Sequence, residues 1–198
     1  MSRRLRADMI AETRASLIAA ARVAFGTVGY AETAMDDLTA AAGLTRGALY
    51  HHFGDKKGLF AAVLGQIDAE MTLRLRAVSA RAPDRWSGFR DECVAYLAMA
   101  REPEIQRIVL RDGPAVLGDP WQWPIQNDCI RMMTKGLGEL IADGRLMPVD
   151  PEAVARLLVG ATQHAAQWIA HAPAPETALQ GATEALDAML GGLLRKPA

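Results

Sequence analysis

Cysteine is scarce in this chain of 198 residues, which has only Cys93 and Cys129, and neither lies in a CxxC pair or at metal-ligand spacing from a histidine. We therefore expect no structural zinc site and no disulfide framework. Both thiols are interpreted as small core-filling side chains, with a disulfide or redox sensor as the alternative.

Enzyme signatures are also missing. The sequence has no GxSxG, no HExxH and no phosphate-binding glycine loop, and each of these patterns places catalytic or phosphate-binding groups at a fixed spacing. We accordingly predict no catalytic residues, no metal and no cofactor, and do not expect an enzyme.

Long apolar runs are absent too. The N-terminus lacks the apolar stretch of a secretory signal. The segment 157–175 carries no formal charge, but it contains glutamine, histidine and two prolines, which makes it too polar to span a bilayer. We interpret it as a buried interface helix and expect a cytoplasmic protein with no membrane partner.

Charge is nearly balanced, at −1 overall, but it is unevenly distributed. Residues 1–60 have a net charge of +2, whereas the remaining residues have −3. This asymmetry is mild, and its sign favours an N-terminal surface that faces phosphates.

The apolar residues that are present recur with helical periodicity along nearly the whole chain, without sustained alternation of period two. The pattern predicts an all-α protein of about nine helices. Thr33, Thr45 and Asp55 are expected to cap three of them at the N-terminus. A further helix is predicted from about Pro103 to Asp112, and a loop over 113–124 because that segment is rich in glycine and proline.

Residues 33–56 carry the pattern of a helix-turn-helix. Small residues at 40–42 permit two helices to cross, Gly43 permits a tight turn, and a short helix follows Thr45. Arg46 is the candidate base-reading residue, Gly47 lets the helix come close to the groove, and Ala48 suits a thymine methyl group. The candidates for phosphate contacts are Thr33, Thr45, Tyr50, His51 and Lys56. The alternatives are simple helix caps for the two threonines and a core position for Tyr50.

At these residues the sequence resembles the TetR/AcrR family of bacterial transcription regulators. The match runs from about Ile10 to Leu64 and includes Ala42-Gly43-Leu44-Thr45-Arg46-Gly47, Leu49-Tyr50-His51-His52-Phe53, Lys56, Leu59 and Phe60. The resemblance implies an N-terminal three-helix DNA-binding domain, placed at 1–54, and a C-terminal helical ligand-binding and dimerisation domain, placed at 55–198.

The same resemblance implies a homodimer on a palindromic double-stranded DNA operator, usually a repressor that a small-molecule effector releases. A transcriptional activator or a ligand-independent DNA-binding protein of the same fold remains the alternative.

The region after about residue 80 holds all four tryptophans and all of the candidate ligand-binding residues. Such residues would form an apolar, adaptable pocket for a largely apolar effector, and ordinary core or dimer packing is the alternative. The candidates are Trp86, Phe89, Tyr96, Trp121, Met132, Gln163, His164, Gln167 and Trp168.

Overall fold

The computed structural model describes residues 2–195, with backbone alone for residues 2–6, 124 and 125. Within these residues all regular structure is helical apart from one isolated antiparallel bridge between Leu146 and Leu194, which confirms the predicted all-α class. Met1 and residues 196–198, at the outer ends of the two predicted domains, lie outside the described part.

Nine α-helices, one π-helix and one 3-10 turn make up this described part. In chain order they are α1 Ser2–Thr27, α2 Met35–Ala41, α3 Arg46–Phe53, α4 Lys56–Ser79, α5 Arg85–Met99, the π-helix Ile105–Asp112, α6 Gly113–Leu117, the 3-10 turn Pro120–Gln122, α7 Pro124–Ala142, α8 Pro151–His171 and α9 Pro175–Gly191.

The helices form two compact units. Unit 1 comprises Met1–Ala69 and Arg107–Gly118. Its core is built from side chains at helical spacing on α1, α3 and α4, which are fully buried and therefore remove apolar surface from water. These residues are Leu17, Ala21, Phe25, Leu49, Leu59, Phe60 and Val63.

Unit 2 comprises Glu70–Gln106 and Asp119–Ala198, and in it α8 contacts α5, α7 and α9. Leu97, Leu137, Leu158, Ile169 and Leu190 are among its buried side chains. The two units are defined by which residues contact each other, whereas the predicted domains, divided after Gly54, were defined by their expected functions. The boundary after Gly54 therefore stays a prediction.

Several local predictions need correction. The segment predicted as a helix at Pro103–Asp112 is helical from Pro103, but Ile105–Asp112 within it is a π-helix, and the predicted loop 113–124 contains α6 and the 3-10 turn. Proline stabilises rather than breaks these short elements because it occupies their first turn, where its missing N–H has no helical partner. Glycine and proline content alone was therefore misleading here.

The predicted caps have mixed outcomes. The Thr45 hydroxyl accepts from the Ala48 N–H at 3.3 Å and Asp55 Oδ1 accepts from the Gly58 N–H at 2.7 Å, so both are confirmed. Thr33 as a cap is wrong, because α2 begins at Met35 after Ala34 and has no side-chain cap there.

The two cysteines also differ from each other. Both are free thiols, and Cys93 is buried in unit 2, where burial raises the pKa of its thiol to about 12. Cys129 is exposed on α7, so its interpretation as a core residue is wrong.

Candidate DNA-binding site

The second helix of the helix-turn-helix, α3, turns one side toward the core and the other toward solvent. Gly43, at φ +65°, adopts the left-handed conformation that the turn before α3 requires. Leu49 is fully buried and fixes the inner face of the helix. Tyr50 is an exposed large side chain on the outer face, which is against the core position considered for it.

The structure brings most of the predicted DNA-binding residues together on this outer face. Thr45, Arg46, Gly47, Tyr50 and His51 are all exposed, and the neighbouring Ala48 is half-buried. The Thr45 hydroxyl caps the exposed start of α3. The N-terminus of a helix favours anions, so this end of α3 suits a phosphate.

Arg46 has a partner that the sequence analysis did not identify. Its Nε lies 2.9 Å from Asp36 Oδ1 on α2, and the two side chains are 57% and 73% exposed. A contact of Arg46 with a guanine or a phosphate would therefore either break this ion pair or form while Asp36 holds the guanidinium in place. The i to i+10 separation crosses the turn, so helical spacing gave no signal for it.

Arg14 on α1 holds the far end of α3. Its guanidinium donates to the His52 carbonyl at 3.0 Å and lies 4.5 Å from the centre of the Phe53 ring. Both interactions join α1 to the C-terminal turn of α3, where backbone carbonyls have no helical partner.

Lys56 starts α4 close to the turn that joins α1 to α2. Its ammonium lies 4.5 Å from the centre of the Tyr30 ring and 3.4 Å from the Ala31 carbonyl oxygen. Partial burial lowers the pKa of Lys56 and outweighs the opposite effect of Glu32. Lys56 is thus held at a defined place on the surface of unit 1.

Thr33 does not join the exposed group. It is only 4% exposed, and its hydroxyl donates to the Gly29 carbonyl at 2.6 Å. The hydroxyl stabilises the turn before α2, which counts against the predicted phosphate contact.

Two further residues of unit 1 escaped the sequence analysis altogether. Asp112 accepts a hydrogen bond from the Tyr30 backbone N–H, and Arg107 donates to the Val28 carbonyl. They act on the turn between α1 and α2 from about eighty positions away. No local pattern could reveal this, since it arises only when the chain is folded.

The predicted ligand-binding residues of unit 2 are less clustered. Trp86 is buried and its ring lies parallel to that of Phe89, with centroids 6.1 Å apart. Trp121 packs near Gly160, where an added Cβ would lie 3.5 Å from the indole ring. The remaining candidates are either exposed (Met132, His164 and Trp168) or half-buried (Tyr96, Gln163 and Gln167).

Trp123 was not among the ligand candidates, yet its indole is unusual. Its Nε1 is buried and has no hydrogen-bond partner within residues 2–195. A buried donor without an acceptor is costly and therefore uncommon in folded proteins. The Trp123 Nε1–H is thus a donor that could bind an acceptor atom of a ligand.

Two kinds of site are absent from the described residues. No group of three His, Cys, Asp or Glu side chains there is arranged to hold a metal ion. No helix in the same part of the chain combines the length and apolarity that crossing a bilayer requires.

An all-helical chain with a glycine turn followed by a capped, outward-facing helix defines a helix-turn-helix protein. Family models agree: that of the bacterial regulatory proteins of the tetR family matches residues 17–63, and that of the tetracyclin repressor-like C-terminal domain matches residues 86–193. The chain belongs to the TetR family of DNA-binding transcriptional regulators.

Known proteins support this assignment along most of the chain. A solved TetR-family transcriptional regulator from Pectobacterium atrosepticum is 53% identical, covers 96% of this chain and 98% of its own, and superposes with a TM-score of 0.87. The Transposon Tn10 TetC protein of Escherichia coli is 27% identical over 159 residues, 78% of each chain. The HTH-type transcriptional repressor BepR of Brucella suis is 31% identical over 108 residues, 54% of this chain and 51% of its own.

Proposed function

We propose that this TetR-family regulator is a repressor that binds a palindromic operator as a homodimer and leaves it when a small, largely apolar effector binds. The observation that carries the DNA-binding part is the exposed outer face of α3, which combines Arg46 with the capped helix start at Thr45. A guanidinium can read a guanine edge, and a helix start can hold a phosphate.

The remaining exposed groups have positioning roles in this proposal. Tyr50 and His51 donate to backbone phosphates, Lys56 pairs with a phosphate at the start of α4, and Gly47 and Ala48 allow close approach to the bases. Phosphate contacts would set affinity and register, whereas Arg46 would set sequence choice.

Selection of bound duplexes from random DNA tests this division of roles. Arg46→Ala should relax the selected motif at one or two positions at a cost of about 1–3 kcal/mol. Lys56→Ala should weaken all sequences alike and lower the salt slope by about 1. Lys57→Ala is the matched control, since Lys57 is an exposed neighbour on the same helix turn. An unchanged motif in Arg46→Ala would contradict the assignment of base reading.

The homodimer is supported by an apolar surface on unit 2. Leu157 is 71% exposed, and Trp168 and Met189 are also exposed although large and apolar. Leu157, His164 and Trp168 recur on one face of α8 at steps of seven and four residues, so they form a stripe that a second copy of α8 would cover.

The oligomeric state of a charged variant tests this surface. Leu157→Glu should shift the protein to monomers in sedimentation and abolish tight operator binding, because each monomer then carries a single recognition helix. Leu73→Glu is the control, since Leu73 is 66% exposed but lies on α4. A Leu157→Glu protein that remains dimeric would place the interface elsewhere.

The effector class follows from the aromatic residues of unit 2. The nearly parallel rings of Trp86 and Phe89 favour a flat apolar molecule, and the unpartnered Trp123 N–H would donate a hydrogen bond to one acceptor atom of that molecule. The effector must bind the DNA-free form better than the DNA-bound form. Calorimetry that finds tight binding only for highly charged ligands would contradict this proposal. Transcription from the selected operator, with and without ligand, distinguishes repression from activation.

A further inference from the structure

The turn between α1 and α2, residues 28–30, is held by side chains that arrive from much later in the chain. Asp112 Oδ2 accepts from the Tyr30 backbone N–H at 2.8 Å, and the Arg107 guanidinium donates to the Val28 carbonyl. Both backbone groups lie just beyond the end of α1, where no helical partner is available. We call this arrangement of Arg107 and Asp112 on the turn the turn clasp.

Gly29, in the middle of the turn, makes the clasp possible. Its φ of +91° is a conformation that side-chain-bearing residues rarely adopt, and a Cβ there would lie 2.5 Å from Arg107 Nη2. The glycine therefore serves both the bend of the backbone and the close approach of Arg107.

The turn supports groups that the proposed DNA contacts need. The Tyr30 ring packs against Phe25 and Phe60, at centroid distances of 5.7 and 5.1 Å, and the Lys56 ammonium lies over the same ring. The Thr33 hydroxyl donates to Gly29 just before α2 begins. A shift of the turn would therefore displace both Lys56 and the start of the helix-turn-helix.

The π-helix explains how two residues five apart can serve one turn. In a π-helix, residues i and i+5 are joined by the backbone hydrogen bond and so lie next to each other along the axis. In an α-helix the same residues would diverge by about 140° around the axis. Arg107 and Asp112 are such a pair within Ile105–Asp112, so both can reach residues 28–30 from one side.

We propose that Arg107 and Asp112 are positioning residues for operator binding: the turn clasp fixes the Tyr30–Lys56 surface and the start of α2 without touching DNA. This inference rests on the proposed function. Residues 107–118 belong to unit 1, while the chain on both sides of them belongs to unit 2. The turn clasp therefore lies on a segment of unit 1 that is joined at both ends to the chain of unit 2.

Variants of Asp112 separate positioning from mere stability. Asp112→Ala removes the acceptor, whereas Asp112→Asn keeps a carbonyl oxygen that the Tyr30 N–H can reach. In the alanine variant, loss of a charge-assisted hydrogen bond should raise amide hydrogen exchange at Tyr30 by about tenfold and weaken operator binding by about five- to tenfold. The asparagine variant should restore both readouts to within about threefold of the unmodified chain, as a neutral hydrogen bond remains.

Arg107 offers a parallel comparison. Arg107→Ala should weaken operator binding, and Arg107→Lys should restore part of it because an ammonium can still donate to the Val28 carbonyl. Arg111→Ala is the matched control, since Arg111 is an exposed cation on the same π-helix. Thermal unfolding shows which variants fold, and if Asp112→Ala does not, the Arg107 pair carries the test.

The outcomes are distinct. An exposed Tyr30 amide with unchanged operator affinity in Asp112→Ala would overturn the positioning role, and so would a Tyr30 amide that stays protected. If the unmodified chain itself selects no DNA sequence, the proposed function fails, which is distinguishable because the parent and not only its variants then fails to bind.

Discussion

The ion pair between Arg46 and Asp36 gives the sharpest quantitative prediction for DNA binding. Both side chains are more than half exposed, so water screens the pair, and such pairs are worth about 0.2–1 kcal/mol. If Arg46 must leave Asp36 to contact a base, the operator complex bears that cost. Asp36→Asn should therefore tighten operator binding by roughly 1.5- to 5-fold, the equivalent of that free energy.

Matched variants isolate the ion pair from the change in net charge. Asp37→Asn removes the same charge from the neighbouring exposed position on α2, so its effect on operator affinity is the baseline to subtract. Fluorescence anisotropy with operator duplexes at fixed salt gives the affinities. In an Arg46→Ala background the excess gain from Asp36→Asn should vanish, as a double-mutant cycle requires.

The competing account predicts the opposite sign. If Asp36 holds Arg46 in the orientation that reads a base, Asp36→Asn weakens operator binding and broadens the selected motif at the position that Arg46 contacts. That result would refute the reasoning that the pair is a cost of binding.

Two predictions concern stability. Burial raises the pKa of Asp68 to about 6 from 3.8. The folded protein therefore disfavours the ionised carboxylate, and the free energy of unfolding falls as the pH rises from 4 through 6. Asp68→Asn should therefore raise the free energy of unfolding by up to about 3 kcal/mol at pH 7.5 but not at pH 4, and equal gains at both pH values in denaturant titrations would contradict this. Gly58→Ala places a Cβ against the Phe53 carbonyl oxygen at the end of α3, so unfolding should become easier by about 1–3 kcal/mol, which thermal melts would detect.

The residues of α3 were predictable because their signals are local. A threonine cap, a glycine turn and a buried leucine all lie within Gly43–Leu49, and each has a physical meaning that needs no tertiary context. The exposed face of the helix then follows from the buried one. Arg46 was predicted as exposed for this reason, although its contact with Asp36 depends on how α2 crosses α3.

Other features depend on the folded chain and had no local signal. Thr33 does not cap α2 because its hydroxyl donates to the Gly29 backbone carbonyl, which has no helical partner at the turn. The 113–124 segment forms short helices because its prolines fall in first turns rather than in helix interiors. In unit 2, the contact between the Trp86 and Phe89 rings likewise joins two ligand candidates only in the folded chain.

The contacts within unit 1 constrain how the proposed effector could act. Arg14 ties the end of α3 to α1, Gly58 permits α4 to begin directly against α3, and the turn clasp holds the entry to α2. Repacking the recognition helix inside the unit would break several of these contacts together. Displacing the whole unit would break none of these contacts, and in the proposed dimer it would still change the separation of two recognition helices that must lie about 34–36 Å apart, or a multiple of that. The proposed release of DNA is therefore less costly as a change in the spacing of the two intact DNA-binding units of the dimer than as a repacking of α3.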